Sequence, residues 1–413
     1  MKQSKLFTKT QREAPKDEVS LNAQLLIRAG YIEKEMSGVY SFLPLGLRVF
    51  KKIQDIIREE INSTGSQEMF MTSLQNPELW KKTNRWDDEV VDVWFKTELK
   101  NGGELGLAAT HEEPLVNIMK KHISSYKDLP VSAYQLQTKF RNETRAKSGL
   151  MRLREFIMKD QYSFHTDQND LDNYYEIVKD AYIRIYEHLG IGEHTFVTYA
   201  SGGMFSKYSH EFQTLTQAGE DLIYICDKCK VAINKEIIED LKHKCPVCDA
   251  SGLREDKAVE VGNIFKLGTK FSQALDLVFT DQEGNNHPVI MGCYGIGPQR
   301  LMGTICEIYN DEKGIIWPEA VAPFKVHLIS LGKNDEAEKI YQELQKNNIE
   351  VLYDDREEIT AGEKFADADL IGVPFRVIIS GKSLEKGGVE VKKRSEKESK
   401  VMAVSELLGF LTK

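Results

Sequence analysis

The rhythm of apolar residues changes once along this chain, near Trp317-Pro318 and Ala322-Pro323, and that change separates two kinds of fold. Before it, short β-like runs at Leu105–Ala109, Ser132–Phe140, Phe156–Tyr162, Phe271–Phe279 and Val289–Tyr294 have mostly hairpin-like connections. Such clustering predicts an antiparallel α+β domain rather than a doubly wound parallel sheet. After it, strand and helix patterns alternate over 325–331, 335–347, 350–353, 362–371 and 375–380, which reads as a separate α/β domain over 323–413. Two amphipathic helices interrupt the first part. Val49, Phe50, Ile53, Ile56, Ile57 and Ile61 follow helical spacing, and Leu171, Tyr174, Tyr175, Val178, Ala181, Tyr182, Ile185 and Leu189 predict a second helix over 170–189 whose stripe packs into a core.

Between these regions lies a cysteine island. Cys226-Asp-Lys-Cys229 and Cys245-Pro-Val-Cys248 are separated by 15 residues, a spacing that brings four thiolates around one tetrahedral Zn²⁺. Four cysteines leave no open coordination position, so the metal is expected to be structural and to stabilise a small module over 223–256. The other reading is a pair of reduced cysteine turns without metal. Cys293 and Cys306 are expected to stay reduced, since no sequence signature gives Cys293 a base.

Composition narrows the partners. With 413 residues, 41% of them hydrophobic and 29% charged, the chain has apolar material for more than one core. The formal charge of -9 argues against a general polyanion binder, because counterion release rewards basic surfaces. Local patches remain, at Arg145, Lys147, Arg152 and Arg154 and at Lys392, Lys393 and Arg394. Residues 1–18 lack the apolar core of a signal peptide, and no apolar run approaches the roughly 20 residues that span a bilayer. A cytoplasmic protein with no membrane association is expected.

Common nucleotide signatures fail. Gly381-Lys382-Ser383 resembles the end of a P-loop, but Arg376 stands where its first glycine belongs, and Gly295-Ile-Gly297-Pro-Gln-Arg300 lacks the third glycine of a dinucleotide fingerprint. Phe140-Arg141-Asn142-Glu143-Thr144-Arg145, followed by Gly149-Leu-Met-Arg152-Leu-Arg154-Glu155-Phe156, is more informative. It reads as strand, charged loop and strand, where arginines can hold a phosphate and a carboxylate bidentately and an aromatic can face a purine.

That segment resembles motif 2 of class II aminoacyl-tRNA synthetases, and Gly292-Cys-Tyr-Gly-Ile-Gly-Pro-Gln-Arg300 resembles motif 3 of bacterial prolyl-tRNA synthetases. Further similarities cover nearly the whole chain: Arg28-Ala-Gly30, Ser37-Gly38, Thr110-His111-Glu112-Glu113, Met158-Lys-Asp160, Ser209-His-Glu-Phe212, Val261-Gly262, Leu267-Gly-Thr-Lys270 and Phe365-Ala-Asp367. The resemblance implies a class II antiparallel sheet with flanking helices, occupying 1–222 and 257–318, a zinc-knuckle insertion, and an α/β anticodon-binding domain. It implies activation of L-proline by ATP with Mg²⁺, transfer to tRNA(Pro), and a homodimer.

It also implies roles. Arg141 would bridge the proline carboxylate and the α-phosphate, Glu143 would contact ATP, Arg152 would lie at the ATP site, and Phe156 and Arg300 would sandwich adenine. Thr110 and Glu112 would receive the secondary amine of proline, with Phe265 against its ring. Glu260 and Asn263 would lie near ATP or the metal. His111 and His210 read as structural histidines rather than general bases. In the last domain Arg356, Lys364, Lys392, Lys393 and Arg394, with Arg145 and Lys147 from the hairpin loop, are candidates for tRNA contact. A noncatalytic paralogue would be favoured by loss of Arg141, Glu143 or Arg300, and all three are present.

Two departures stand out. Thr72 occupies the position where motif 1 usually carries proline, and the long editing domain of many bacterial relatives is replaced by the cysteine island. A pocket for proline excludes smaller amino acids poorly, since a missing methylene changes discrimination by only about 1–3 kcal/mol. The expectation is that this chain does not clear alanyl-tRNA and relies on a separate deacylase.

Overall fold

Five strands of this protein close on themselves, and the longest of them runs on into the sheet that carries the candidate site. The computed structural model describes residues 1–146, 148–202 and 208–412. Its residues divide into two compact units, one formed by Met1–Met36, Tyr40–Lys52 and Ile305–Lys413, the other by Ser37–Val39 and Ile53–Thr304.

In the larger unit nine strands form one sheet: β1 (Gln67–Glu68), β2 (Val131–Phe140), β3 (Glu155–His165), β4 (Thr195–Ser201), β5 (Tyr208–Leu215), β6 (Asp221–Cys226), β7 (Val231–Asn234), β8 (Arg254–Gly268) and β9 (Ile290–Ile296). Their order is β5-β4-β7-β6-β8-β9-β3-β2-β1, and β5 also pairs with β8. Because β8 pairs with β6 through Arg254–Ala258, with β5 through Ala258–Ile264 and with β9 through Gly262–Gly268, the first five strands form a closed barrel. All five contribute to one apolar cluster of Phe196, Leu215, Ile223, Ile225, Ala232 and Ala258. The cysteine island is therefore built onto the sheet, its first pair beginning at the end of β6.

Most pairings are antiparallel, as the hairpin pattern predicts, with β1–β2 and β4–β7 parallel. Helix α1 (Pro44–Ser63) buries Ile53, Ile57 and Ile61, and α2 (Glu112–Met119) follows the Thr110 segment. Helix α3 (Gln168–His188) starts on an Asp167 side-chain cap and buries Leu171, Tyr175, Val178, Ala181, Tyr182 and Ile185, the spacing of the predicted stripe. Helix α4 (Pro298–Ile308) follows β9.

The run Phe271–Phe279, expected as a strand, is a correction. It forms a short helix, Lys270–Ala274, and only Val278–Thr280 is extended. Phe271, Leu275, Leu277 and Phe279 all enter one buried cluster with Leu115, Val116 and Met291. An apolar run this dense satisfies either period, and packing decides.

In the smaller unit β10 (Val326–Leu331), α5 (Asn334–Lys346), β11 (Val351–Asp354), α6 (Ala361–Ile371) and β12 (Phe375–Ser380) reproduce the alternation read from sequence. After a short helix over Gly381–Glu385, β13 (Val389–Lys393), β14 (Lys400–Met402) and α7 (Val404–Leu411) extend it. The sheet order is β11-β10-β12-β13-β14, parallel among the first three and antiparallel beyond. Gly372 ends α6 in the left-handed conformation, φ 80°, where a Cβ would lie 2.2 Å from the Ile315 carbonyl oxygen, so only glycine fits. Among the described residues no helix is long and apolar enough to cross a membrane.

Candidate active site

Strand periodicity builds this site. On β3 the residues Phe156, Met158, Asp160 and Tyr162 face one cavity, while Lys159 points the other way and bonds the Tyr182 hydroxyl at 2.6 Å. Register aligns the neighbouring strands: Phe265, Cys293 and Tyr162 form one cross-strand row, and Asn263, Gly295 and Asp160 the next. The cavity has a volume of about 420 Å³. It brings together Thr110, Glu112, Arg141, Glu143, Arg152, Phe156, Glu260, Asn263, Phe265 and Arg300, residues spread over nearly two hundred positions of sequence.

Thr110 and Glu112 meet at the start of α2, where helix polarity favours an anion. The Thr110 hydroxyl lies 2.8 and 2.7 Å from the two Glu112 carboxylate oxygens, and the Tyr162 hydroxyl donates to Oε1 at 3.3 Å. Arg85 Nη1 donates to Glu112 Oε2 at 3.1 Å and to Glu113 at 3.0 Å. Burial opposes ionisation of Glu112, yet Arg85 and Thr110 hold its pKa below the usual carboxylate range. Burial, opposed by Arg85 and reinforced by Glu112, raises Glu113 to about 7.

The cationic side of the cavity comes from Arg141 and Arg300. Arg141 Nε donates to the Ala109 carbonyl at 3.3 Å and its guanidinium lies 5.4 Å from the Phe156 ring centre. Burial and then the neighbouring Arg300 lower its pKa, and both side chains line the same cavity. Arg300 is fixed by the carbonyls of Met151, at 2.9 Å, and Glu260, at 2.7 Å. Glu143 accepts from Arg152 Nε at 2.9 Å, and Arg152 also bonds Glu220 at 2.7 Å.

Glu211, not singled out from sequence, stands behind Asn263, whose amide lies 3.4 Å from its Oε1. Burial and the nearby Glu260 push Glu211 up to about 8. Arg85 and Glu211 were both missed. Arg85 lies outside every motif, between Trp80 and Trp94, and Glu211 sits inside the Ser209-His-Glu-Phe212 similarity without a role attached.

The two histidines are structural. His111 Nε2 bonds the Thr72 carbonyl at 2.9 Å, which fixes the proton there and leaves Nδ1 to accept from Lys139 Nζ at 2.6 Å. Burial and Lys139 depress His111 to about 4. His210 contacts the Tyr175 hydroxyl at 2.9 Å, and burial likewise lowers it to about 4.

The four island cysteines converge, with all four sulfur atoms within 4.8 Å of one another. Cys226 Sγ lies 3.7 Å from Cys248 Sγ, against about 3.8 Å for an edge of a zinc tetrahedron with bonds of about 2.3 Å. Both pairs make the same turn. Lys230 N–H donates to the Cys226 carbonyl at 2.8 Å and Asp249 N–H to the Cys245 carbonyl at 2.9 Å, each through a left-handed residue with φ 57° and 55°.

Three of the basic candidates for RNA contact, Lys364, Arg394 and Arg356, are engaged by neighbouring residues of their own unit. Lys364 is a correction: it is buried, its ammonium 2.8 Å from the Ser330 carbonyl, because the first turn of α6 packs over the ends of β10 and β11. Arg394 is also buried and grips Asp311 at 2.8 and 2.6 Å. Arg356 forks onto Asp354 at 2.8 and 2.7 Å and reaches Asp367 at 2.8 Å. Lys392 and Lys393 are half-buried on opposite faces of β13, Arg145 is exposed, and Lys147 lies outside the described residues.

Residues 95–309 match the family model described as tRNA synthetase class II core domain (G, H, P, S and T), and residues 325–413 match the one described as Anticodon binding domain. A proline--tRNA ligase of Dehalococcoides mccartyi is 33% identical over 560 residues, covering 99% of this chain and 98% of the relative. One of Wolbachia sp. subsp. Drosophila simulans is 38% identical over 428 residues, covering 100% of both. The first alignment is longer than the chain itself, so that relative carries a long stretch absent here, whereas the second spans nearly the chain's own length. The crystal structure of prolyl-tRNA synthetase from Cryptosporidium parvum complexed with halofuginone and AMPPNP shares the fold, with a TM-score of 0.78 over 95% of this chain and 76% of that one at 20% identity.

The depressed His111 gives a testable pH dependence. An unfolded imidazole titrates near pH 6.5, so a folded value of about 4 means that the stability contributed is complete above pH 6.5 and lost as pH falls toward 4. His111→Gln is expected to reduce the slope of unfolding free energy against pH between 6.5 and 5, measured by urea titration. An unchanged slope would show that His111 is not buried neutral.

Proposed function

The chain belongs to the proline--tRNA ligase family of class II aminoacyl-tRNA synthetases, and from that membership we propose how its own residues carry out the reaction. The family's reaction joins L-proline to ATP as prolyl-adenylate and then transfers the prolyl group to tRNA. The observation that carries the assignment is one cavity lined by an ionised carboxylate, Glu112, and by two guanidinium groups, Arg141 and Arg300. A zwitterionic amino acid and a triphosphate together match those charges.

In this reading Glu112 and Thr110 take the two N–H donors of the proline ammonium, and Phe265 lies along the ring methylenes. Arg141 holds the proline carboxylate against the α-phosphate, Glu143 and Arg152 contact ATP, and adenine lies between Phe156 and Arg300. A carboxylate oxygen of proline attacks the α-phosphorus in line, the bond to the β-phosphate oxygen breaks, and pyrophosphate leaves. Positioning and charge neutralisation supply the catalysis, and no protein nucleophile takes part. In the second step a ribose hydroxyl of tRNA attacks the prolyl carbonyl carbon and AMP leaves. With both His111 nitrogens occupied, the proton passes to the adenylate phosphate rather than to histidine.

Glu260, Asn263 and Glu211 are hard oxygen donors of the kind Mg²⁺ takes, and the raised Glu211 fits a place built for added positive charge. Mg²⁺ there would neutralise phosphate charge. The four convergent cysteines suit a structural Zn²⁺, which would tie the β6 end of the barrel to the second knuckle. A cytoplasmic location suits such thiols. Exposed Phe70 and Leu74, just past α1, support a homodimer, which sedimentation would test. Contact with tRNA(Pro) falls to Arg145, Lys147, Lys392 and Lys393 among the basic candidates.

The stretch missing relative to the longer relative supports the absence of alanyl-tRNA clearance, with a separate deacylase as partner. Proline-dependent ATP–pyrophosphate exchange tests the reading: proline should sustain exchange without tRNA, and alanyl-tRNA should persist when incubated with the enzyme. Absence of exchange with every amino acid tried would remove the assignment, and efficient alanyl-tRNA hydrolysis would remove the deacylase. Metal analysis of the purified protein should find one zinc per chain, lost in Cys248→Ser with a lower melting temperature. Metal-free protein of unchanged stability would leave the cysteines as reduced turns.

A further inference from the structure

Arg85 is held more firmly than a residue that only fills space beside the cavity. Asn84 before it is left-handed, φ 59°; the Arg85 N–H donates to the Trp80 carbonyl at 2.9 Å, and the Arg85 carbonyl accepts from the Trp94 indole at 2.9 Å. The guanidinium lies 5.1 Å from the Trp80 ring centre and 5.2 Å from that of Phe271, so two aromatic faces fix its plane. From there Nη1 reaches Glu112 Oε2 at 3.1 Å and Glu113 at 3.0 and 3.1 Å. Glu113 is fully buried and anchored in turn by the Thr83 hydroxyl at 2.7 Å, whereas Glu112 lines the cavity.

We infer that Arg85, anchored by Glu113, is a positioning residue that aims the Glu112 carboxylate at the amine of proline and so sets the affinity for that amino acid. The inference rests on the reading of Glu112 as the amine receptor. A single cation paired with Glu112 alone would cancel the charge that attracts an ammonium. Arg85 instead divides its donors between Glu112 and the buried Glu113, so Glu112 is oriented by a guanidinium that Glu113 also holds. Its Oε2 is fixed by Arg85 and both oxygens face Thr110, so the carboxylate cannot rotate freely between the hydroxyl and the guanidinium. Neither Arg85 nor Glu113 belongs to the set assigned to ATP, so their effect should fall on proline.

Steady-state exchange kinetics of Arg85→Gln, Arg85→Lys, Glu112→Gln and the double variant Arg85→Gln/Glu113→Gln provide the test. Arg85→Gln should raise the KM for proline by about 10–100-fold with the KM for ATP within twofold of wild type, and Arg85→Lys, which keeps charge but not the planar fork, should recover part of the loss. The double variant removes the buried cation together with the buried carboxyl group it bonds, so it keeps the question open to measurement where Arg85→Gln alone fails to fold. It should fold and still show a raised KM for proline. A wild-type KM for proline in the double variant, or a proportional rise in the KM for ATP, would overturn the inference. Glu112→Gln separates the two levels: an unchanged KM for proline there overturns the receptor reading itself, while a raised value beside wild-type Arg85 variants overturns only the positioning role.

Discussion

Everything at the site depends on the register of three strands, β8, β9 and β3. Pairing of Phe265 with Cys293 and of Cys293 with Tyr162, one step from Asn263, Gly295 and Asp160, sets which side chains enter the cavity. A one-residue slip in β3 would exchange Asp160 for Lys159 and Tyr162 for Gln161, turning the far face inward. The structure resists that slip on both faces. Lys159 bonds the Tyr182 hydroxyl and the Tyr294 carbonyl at 2.6 and 3.0 Å, while Asp160 takes Lys139 at 2.7 Å and Gln135 at 3.1 Å. Buried charges such as these cost more to leave unpaired than they contribute when paired, so they act chiefly by penalising the wrong register.

The long strand β8 links this sheet to the barrel. Its first residues pair with β6, which ends in Cys226, and its last residues carry Asn263 and Phe265 into the cavity. The strand that pairs with β6 beside the cysteine cluster is thus the same one that lines the cavity. At the other side, Arg85 draws its position from Trp80 and Trp94 and passes it to Glu112. Two remote supports, one of thiols and one of indoles, thus reach different walls of one cavity.

Much of this was legible in the sequence because the signals were local. The α3 stripe and the strand–helix alternation after Pro323 each repeat at a single period, and the structure follows both within a residue or two. The candidate residues were read from the motif 2 and motif 3 similarities, from the Thr110-His111-Glu112 segment and by position, and they line one cavity. What failed was non-local. Phe271–Phe279 contains apolar residues at both periods, so only its packing against α2 decides between helix and strand. Lys364 and Arg394 look like an RNA-binding surface in the sequence, but the partners that bury them, Ser330 and Asp311, are distant in the chain. Closure of the barrel through β5 and β8, and the grip of Arg85 on Glu112, likewise have no local signature.

The central claim is that the cavity recognises proline by the charge of its ring nitrogen, received by Glu112 and Thr110. The most direct measurement replaces that nitrogen alone, using tetrahydrofuran-2-carboxylate, in which an ether oxygen stands in its place and the ring and carboxylate are kept. The account predicts no pyrophosphate exchange with this compound, and no inhibition of proline-dependent exchange at concentrations where proline saturates. Inhibition with a constant near the KM of proline would contradict it, because ring shape and carboxylate would then suffice for recognition.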